Sequence, residues 1–317
     1  MAASDPPSSS AFDVTLITQC SEDRVPFLAH IFERWEGPIS AGVYVTSPEA
    51  QANATSLLSL TVSGLREDRR LHQALDVHFV MGRHGQPYPV NKLRNVAIQA
   101  VTTTHFLVTD VDLWPSRTLY NAFLSLPAAY LARERVATVV PAFETSNAVH
   151  KVLGAAAVPE TFAGLRLCAS AGMCNIFKHA TDTHTSTLYD TWWEAQPGDD
   201  AYNVPCFDSI RYEPYLLVPK AEHTPAFDER FVGYGKNKIQ WVQHVRMLGF
   251  AFHVLPQGFV IHVPHVSSKS RDTWNRDNRA KKNHLFMSFI REHMAVANIS
   301  VPLCRGAFAD LAADEYQ

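Results

Sequence analysis

Strands that alternate with helices through the first half of the chain predict an α/β fold built on a doubly wound, mainly parallel sheet. Three observations carry this prediction. Apolar runs of strand length recur at 12–18, 41–46, 75–81, 106–108 and 136–143, with stretches of helical spacing between them. The run at 106–108 ends abruptly in two carboxylates one residue apart, Asp110 and Asp112. Such sheets hold their ligands at the carboxyl ends of strands, where these two acids fall.

Each element has a local reason. Residues 1–11 are rich in Pro and Ser and are expected to be disordered. The segment 12–18, FDVTLIT, is the first strand. A helix over 24–35 follows from the spacing of Phe27, Leu28, Ile31 and Phe32. A second strand at 41–46, a helix over 48–60 and a third strand at 75–81 come next. The helix expected over 89–101 puts Val90, Leu93, Val96, Ala97 and Val101 on one face. After the buried strand at 106–108, Pro115-Ser116 reads as a helix start, with a helix over 118–131 and a strand over 136–143. Beyond about residue 145 the pattern weakens to short helical runs and polar turns. Strands return at 215–218, 251–255 and 259–263, and helices at 239–248 and 283–297. No linker divides the chain, so 12–317 is expected to form a single domain.

Composition narrows the function. The chain has 317 residues and 46% hydrophobic content, enough for a sizeable core. A net charge of −3 gives no basic footprint for nucleic acid. No apolar run approaches the length of a transmembrane helix. The polar start lacks the basic and apolar regions of a secretory signal. With Met1 in place, the expectation is a soluble cytoplasmic protein, or a Golgi luminal one if the sequence is a trimmed catalytic domain. Cys20, Cys168, Cys174, Cys206 and Cys304 are odd in number and form no CxxC pair. Neither a zinc site nor a disulfide framework is expected, and Cys168 and Cys174 read as buried thiols rather than a pair.

Two Asp at a strand tip can grip a hard divalent cation through oxygen, and a cation there can neutralise the diphosphate of a nucleotide sugar. This is the Asp-x-Asp arrangement of metal-dependent glycosyltransferases; the bland alternative is an Asp capping the next helix. Arg94 lies on the preceding helix, with Asn91 one turn back and Asn95 beside it. Its fork suits a phosphate or a uronate carboxylate, and a solvated helix face is the alternative. Lys238 is a second candidate for the diphosphate or a donor carboxylate. In the Gly233-Tyr234-Gly235 segment the glycines let backbone approach a sugar closely, and Tyr234 can stack on it.

Six blocks, in order and spacing, resemble one family. They are Tyr88-Pro-Val-Asn-Lys-Leu-Arg-Asn-Val-Ala97, Val139-Val-Pro-Ala-Phe-Glu-Thr145, Tyr212-Glu-Pro-Tyr215, Phe227-Asp-Glu-Arg-Phe-Val-Gly-Tyr-Gly-Lys-Asn-Lys238, Val254-Leu-Pro-Gln-Gly-Phe259 and Ile261-His-Val-Pro-His-Val-Ser267. Together they resemble the catalytic domain of glycosyltransferase family 49, of the LARGE and β-1,4-glucuronyltransferase type, over roughly residues 85–268.

The resemblance implies a GT-A fold, with a nucleotide-sugar-binding half at 12–145 and an acceptor-side half at 146–300. It also implies Mn²⁺ or another divalent cation, a UDP-sugar donor and a glycan or glycoprotein acceptor. The transfer, of glucuronic acid, would invert configuration. A late His returns to the metal in such folds, which points to His262 or His265, with His265 slightly ahead. Trp192, Trp193 and His184 fall where the family has acceptor-side residues; core packing is the equal alternative for the tryptophans. In many inverting enzymes of this fold the base is an acid just after a Gly-aromatic-Gly. Here Lys236-Asn237-Lys238 take that place, and the nearest acids are Asp228 and Glu229, with Glu144 another. For Asp228 an ion pair with Arg230 competes with the catalytic role. The rival readings are the same fold with UDP-glucose, UDP-galactose or UDP-xylose, and a non-catalytic carbohydrate-binding protein.

Overall fold

The computed structural model describes residues 12–69, 73–83, 85–146, 158–196, 198–265 and 276–306. The segment 1–11 expected to be disordered lies outside them. The first half runs β1 (Val14–Ser21), α1 (Phe27–Arg34), β2 (Ile39–Val45), α2 (Pro48–Arg69), β3 (Leu75–Met81), α3 (Val90–Gln99) and β4 (His105–Val108). Then come β5 (Leu113–Pro115), α4 (Leu119–Leu124), α5 (Ala128–Leu131), β6 (Val136–Val140) and β7 (Ala142–Thr145). The second half holds α6 (Phe162–Ser170), β8 (Cys174–Ile176), α7 (Tyr189–Glu194), β9 (Tyr202–Asn203) and β10 (Tyr215–Pro219). It closes with α8 (Asn237–Met247), β11 (Ala251–Val254), β12 (Val260–His262) and α9 (Arg276–Met294).

The main sheet has the order β3-β2-β1-β4-β10-β6-β11-β9. β1 pairs in parallel with both β2 and β4, and β2 with β3. β10 runs antiparallel between β4 and β6, and β9 antiparallel at the far edge. The mainly parallel, doubly wound sheet is thus present. The chain order reverses at β1, between β2 and β4, which makes the carboxyl ends of β1 and β4 the crevice where ligands of such sheets bind. A smaller sheet, β5-β12-β7-β8, stands beside it.

Two sequence expectations change at prolines. The strand expected over 136–143 is two strands in two sheets, broken at Pro141. Proline has no N–H to give a ladder, so the chain can leave one sheet there and enter the next. Its carbonyl still accepts from Val260 N at 2.9 Å. Pro115 is the last residue of β5 rather than a helix start, and the single helix expected over 118–131 is the two short helices α4 and α5, separated before Pro127. The helix expected over 48–60 runs on to Arg69, and that expected over 283–297 begins at Arg276.

α3 lies directly on β2. A Cβ at Gly42 would fall 2.4 Å from the Leu93 carbonyl oxygen, so only glycine permits this approach. The contact fixes the depth at which Asn91, Arg94 and Asn95 enter the molecule. One apolar cluster joins both sheets and their helices, and a smaller one around Phe231, Phe286 and Phe289 lies under α9.

The cysteine expectation is overturned. Cys168 pairs with Cys174 across the turn from α6 to β8, and Cys206 with Cys304, 98 positions later. Cys20 is a buried free thiol whose pKa burial pushes up to about 12. The odd count comes from this one inert thiol, and the second pair is too distant in sequence for spacing to reveal it. No helix among the described residues is long and apolar enough to cross a membrane.

Candidate active site

The site forms where β4 leaves the main sheet. The chain turns at Asp110, whose carbonyl accepts from Leu113 N at 3.0 Å, and enters β5 in the second sheet. β12 pairs antiparallel with β5, His262 opposite Leu113, and Val263 N donates to the Asp112 carbonyl at 3.1 Å. That register brings both late histidines to Asp112. His265 Nε2 donates to Asp112 Oδ2 at 2.6 Å, and His262 Nε2 stands 3.8 Å from the same oxygen. Arg24 Nη1, just after β1, stands 3.1 Å from both ring nitrogens of His265. The ligand atoms of Asp112, His262 and His265 lie within 4.8 Å of one another, the one cluster among the described residues able to hold a metal in this way. Carboxylate and imidazole together suit Mn²⁺ or a related divalent ion, so these residues fit the cation expected from the sequence.

Asp110 does different work. It accepts from Arg94 Nη2 at 2.8 Å, Lys238 Nζ at 2.9 Å and the Tyr215 hydroxyl at 3.2 Å. Burial alone would raise its pKa, but the two cations outweigh burial and hold the carboxyl well below the usual range. Arg94 is itself set by α3 and α8, donating to Asn91 Oδ1 at 3.0 Å and Asn237 Oδ1 at 2.8 Å. Its Nε and the neighbouring Thr109 Oγ1 are buried without a hydrogen-bond partner.

The loop before α8 delivers Lys238. Gly233, Gly235 and Lys236 all take positive φ, so the chain turns sharply into the helix. Gly233 N donates to the Tyr88 carbonyl at 2.7 Å, tying this loop to the segment before α3. Tyr234 at its tip is exposed.

Three residues that sequence reasoning did not single out complete the centre. Glu213 stands 3.4 Å from Lys178 Nζ and 3.7 Å from Lys238 Nζ. Burial opposes its charge, yet Lys178 and Lys238 bring its pKa down to about 2. Tyr215 lies under the Lys238 ammonium, 3.8 Å from Nζ to the ring centre. Glu213 and Tyr215 lie in the Tyr212-Glu-Pro-Tyr215 block that carried the family resemblance, though no role was read for them there; Lys178 has no such signal. His184 stacks near Tyr215 with its ring fully enclosed; burial lowers its pKa to about 3, so the imidazole is neutral.

The remaining expected residues lie further out. Asn95 bridges to the loop, donating to the Phe227 carbonyl at 2.9 Å and to Glu229 Oε1 at 3.0 Å. Asp228 forms the ion pair with Arg230, 2.6 Å, and Arg230 also holds Glu292 at 2.8 Å. Trp192 is fully buried, donates to the Leu255 carbonyl at 3.0 Å and packs on Phe143, Phe162 and Phe259. It takes the packing alternative, with no face left for a sugar. Trp193 is half-buried against Phe143. Glu144 stands 3.7 Å from His179.

Similarity to known proteins bears on the fold and the family. The structure of GalNAc-T7 with UDP, GalNAc and Mn²⁺ superposes with a TM-score of 0.51 at 9% identity, covering 97% of this chain and 58% of that one. S. aureus TarS 1–349 with UDP-GlcNAc gives 0.50 at 11% identity, covering 96% and 73%. The fold is the GT-A fold of glycosyltransferases. A family model described as a glycosyl-transferase for dystroglycan matches residues 13–85 and 80–296. The chain is 33% identical over 303 residues to the xylosyl- and glucuronyltransferase LARGE2 of Mus musculus, covering 92% of this chain and 41% of that protein. It is 32% identical over 265 residues to LARGE1 of Homo sapiens, covering 83% and 32%. The chain thus spans about two fifths or less of the length of these relatives. It belongs to this glycosyltransferase family, the family 49 suggested by the sequence blocks.

Proposed function

We propose that the protein is a metal-dependent, inverting glycosyltransferase that moves glucuronic acid from a UDP-sugar to a hydroxyl of a glycan acceptor. The observation that carries the reading is the assembly at the β1–β4 switch point. Asp112, His262 and His265 converge beside an Asp110 clamped by Arg94 and Lys238. Asp112, His262 and His265 would hold a divalent cation, which when bound supplies positive charge to a departing diphosphate. Asp110, fixed from three sides, keeps its carboxylate ionised and in place. Arg94 and Lys238 add charge in a dry site, where it acts more strongly than in water. Tyr234 offers an exposed ring on the acceptor side. The acceptor proton goes to Glu229 or Asp228. Glu229 is the better placed chemically, because its partner is the neutral Asn95 amide, whereas Asp228 is gripped by Arg230. Glu213 is a poor base, since a carboxylate held near a pKa of about 2 has little affinity for a proton.

A second donor has specific support, because the relatives are named as both xylosyl- and glucuronyltransferases. A screen separates the donors. Protein with Mn²⁺ is incubated with each UDP-sugar and UDP release is followed, with Asp112→Ala as control. Release from UDP-glucuronate that the variant abolishes supports the proposal. Release from UDP-xylose alone replaces the donor and keeps the site. The two disulfides also favour an oxidising compartment over the cytoplasm expected from the sequence, and we place the working enzyme in the lumen of the secretory route.

A further inference from the structure

Five charged side chains form a chain of alternating sign through the site: Arg94, Asp110, Lys238, Glu213 and Lys178. Three cations face two carboxylates, so the chain carries one surplus positive charge. A surplus charge in a partly buried site attracts an anion more strongly than it would in water. Two of the three cations are buried and already committed. Arg94 and Lys238 have side chains only 3% exposed, and Lys238 meets Asp110, Glu213 and the Tyr215 ring. Lys178, at the end of the chain, is 34% exposed.

Lys178 is also placed deliberately by the backbone. It follows β8 with a φ of 52°, a left-handed conformation that a lysine seldom adopts and that is retained only where the surroundings enforce it. Its Nζ lies 5.1 Å from the centre of the Phe177 ring, and Phe177 packs on both His262 and His184, at 4.9 and 5.3 Å between ring centres. Lys178 therefore borders the metal-binding residues without joining them. Behind it His184, 2% exposed, holds a buried Nε2 with no hydrogen-bond partner, a polar atom of the kind a ligand satisfies.

We infer that Lys178, held by Glu213 and backed by His184, recognises the carboxylate of the donor's uronic acid and so selects a uronate over a neutral hexose. The inference rests on the UDP-glucuronate donor proposed above. The cation that Asp112 and the two late histidines would hold meets the diphosphate, and the surplus cation at the far end of the chain meets the second anion of the donor. A uronate is distinguished from glucose by that one negative charge.

Binding of UDP, UDP-glucose and UDP-glucuronate with Mn²⁺ is measured by calorimetry for the wild type, Lys178→Met, Lys178→Gln and Lys178→Arg, each checked for folding by circular dichroism. The wild type is expected to prefer UDP-glucuronate to UDP-glucose. In Lys178→Met and Lys178→Gln that preference should fall by about tenfold or more, the scale of a charge-assisted hydrogen bond, and Lys178→Arg should keep most of it. If one neutral variant fails to fold, the other carries the comparison. An unchanged preference in a folded neutral variant overturns the inference. Equal weakening of all three ligands also overturns it, and assigns Lys178 to the diphosphate. A wild type that prefers UDP-glucose overturns the inference while leaving a transferase with a neutral donor. A wild type that binds no UDP-sugar overturns the proposed function itself.

Discussion

Replacing Lys238 by Met should loosen the centre in a way that depends on pH. Lys238 Nζ lies 2.9 Å from Asp110 and 3.7 Å from Glu213, and its side chain is 3% exposed. With an effective dielectric constant of about 20, these two contacts correspond to gross attractions of about 6 and 4–5 kcal/mol. The net loss is smaller. Methionine fills similar volume and carries no desolvation penalty, Asp110 keeps Arg94 and Tyr215, and Glu213 keeps Lys178. A loss of about 2–3 kcal/mol near neutral pH follows, below the ~3–5 kcal/mol typical of a buried charge stripped of its partner. The pH dependence comes from Glu213, whose pKa falls from an ordinary 4.5 to about 2 in the fold, and from Asp110, whose carboxyl the same lysine and Arg94 hold well below the usual range. Because the folded value of Glu213 lies below the unfolded one, the associated stability, about 3 kcal/mol, is complete above pH 4.5 and lost as pH falls through about 2. The variant has less of it to lose, so the gap to the wild type should narrow in acid. Urea unfolding followed by tryptophan fluorescence, from about pH 7 down to about pH 3, measures it. A variant within about 0.5 kcal/mol of the wild type at neutral pH, or a gap that does not change with pH, would refute the ion-pair chain.

Three further outcomes are expected. Asp112→Ala and His265→Ala should each weaken Mn²⁺ binding by about tenfold or more in a calorimetric titration, since each removes one of three gathered ligands; unchanged binding would place the metal elsewhere. Trp192→Ala should lose about 3–5 kcal/mol in urea unfolding, because it empties a fully buried aromatic site; little loss of stability with loss of acceptor affinity would return it to the sugar. Cys304→Ala opens the bridge spanning 98 positions, and by the chain-entropy model should lose about 4–5 kcal/mol; maleimide labelling of the unreduced, unfolded wild type should modify Cys20 alone, and labelling of further cysteines would deny the pairing.

Sequence by itself settled the parts of this protein that depend on near neighbours in the chain. The apolar runs of β1 to β4 and the helical face of α3 are local patterns, because burial on one side repeats with the period of the element. From them came the mainly parallel sheet, and Asp110 and Asp112 at a strand tip. The ordered blocks also pointed to Arg94, Lys238 and the late histidines, all of which meet at those two acids. Tertiary structure decided what depends on which elements lie side by side. Pro141 could be seen, but not that the strands on its two sides join different sheets. Both histidines were candidates, and only the pairing of β12 with β5 showed that both reach Asp112. Trp192 had equal claims as platform or core until its packing on Phe143 and Phe162 was seen. Glu213 stood in a family block with no role attached and Lys178 was silent, since their ion pair is chosen by spatial neighbours 35 positions apart in the chain, a distance over which local periodicity carries no information. The same holds for Cys206 and Cys304: spacing speaks within a turn or a hairpin, and only the folded sheet brings the two ends of a long loop together.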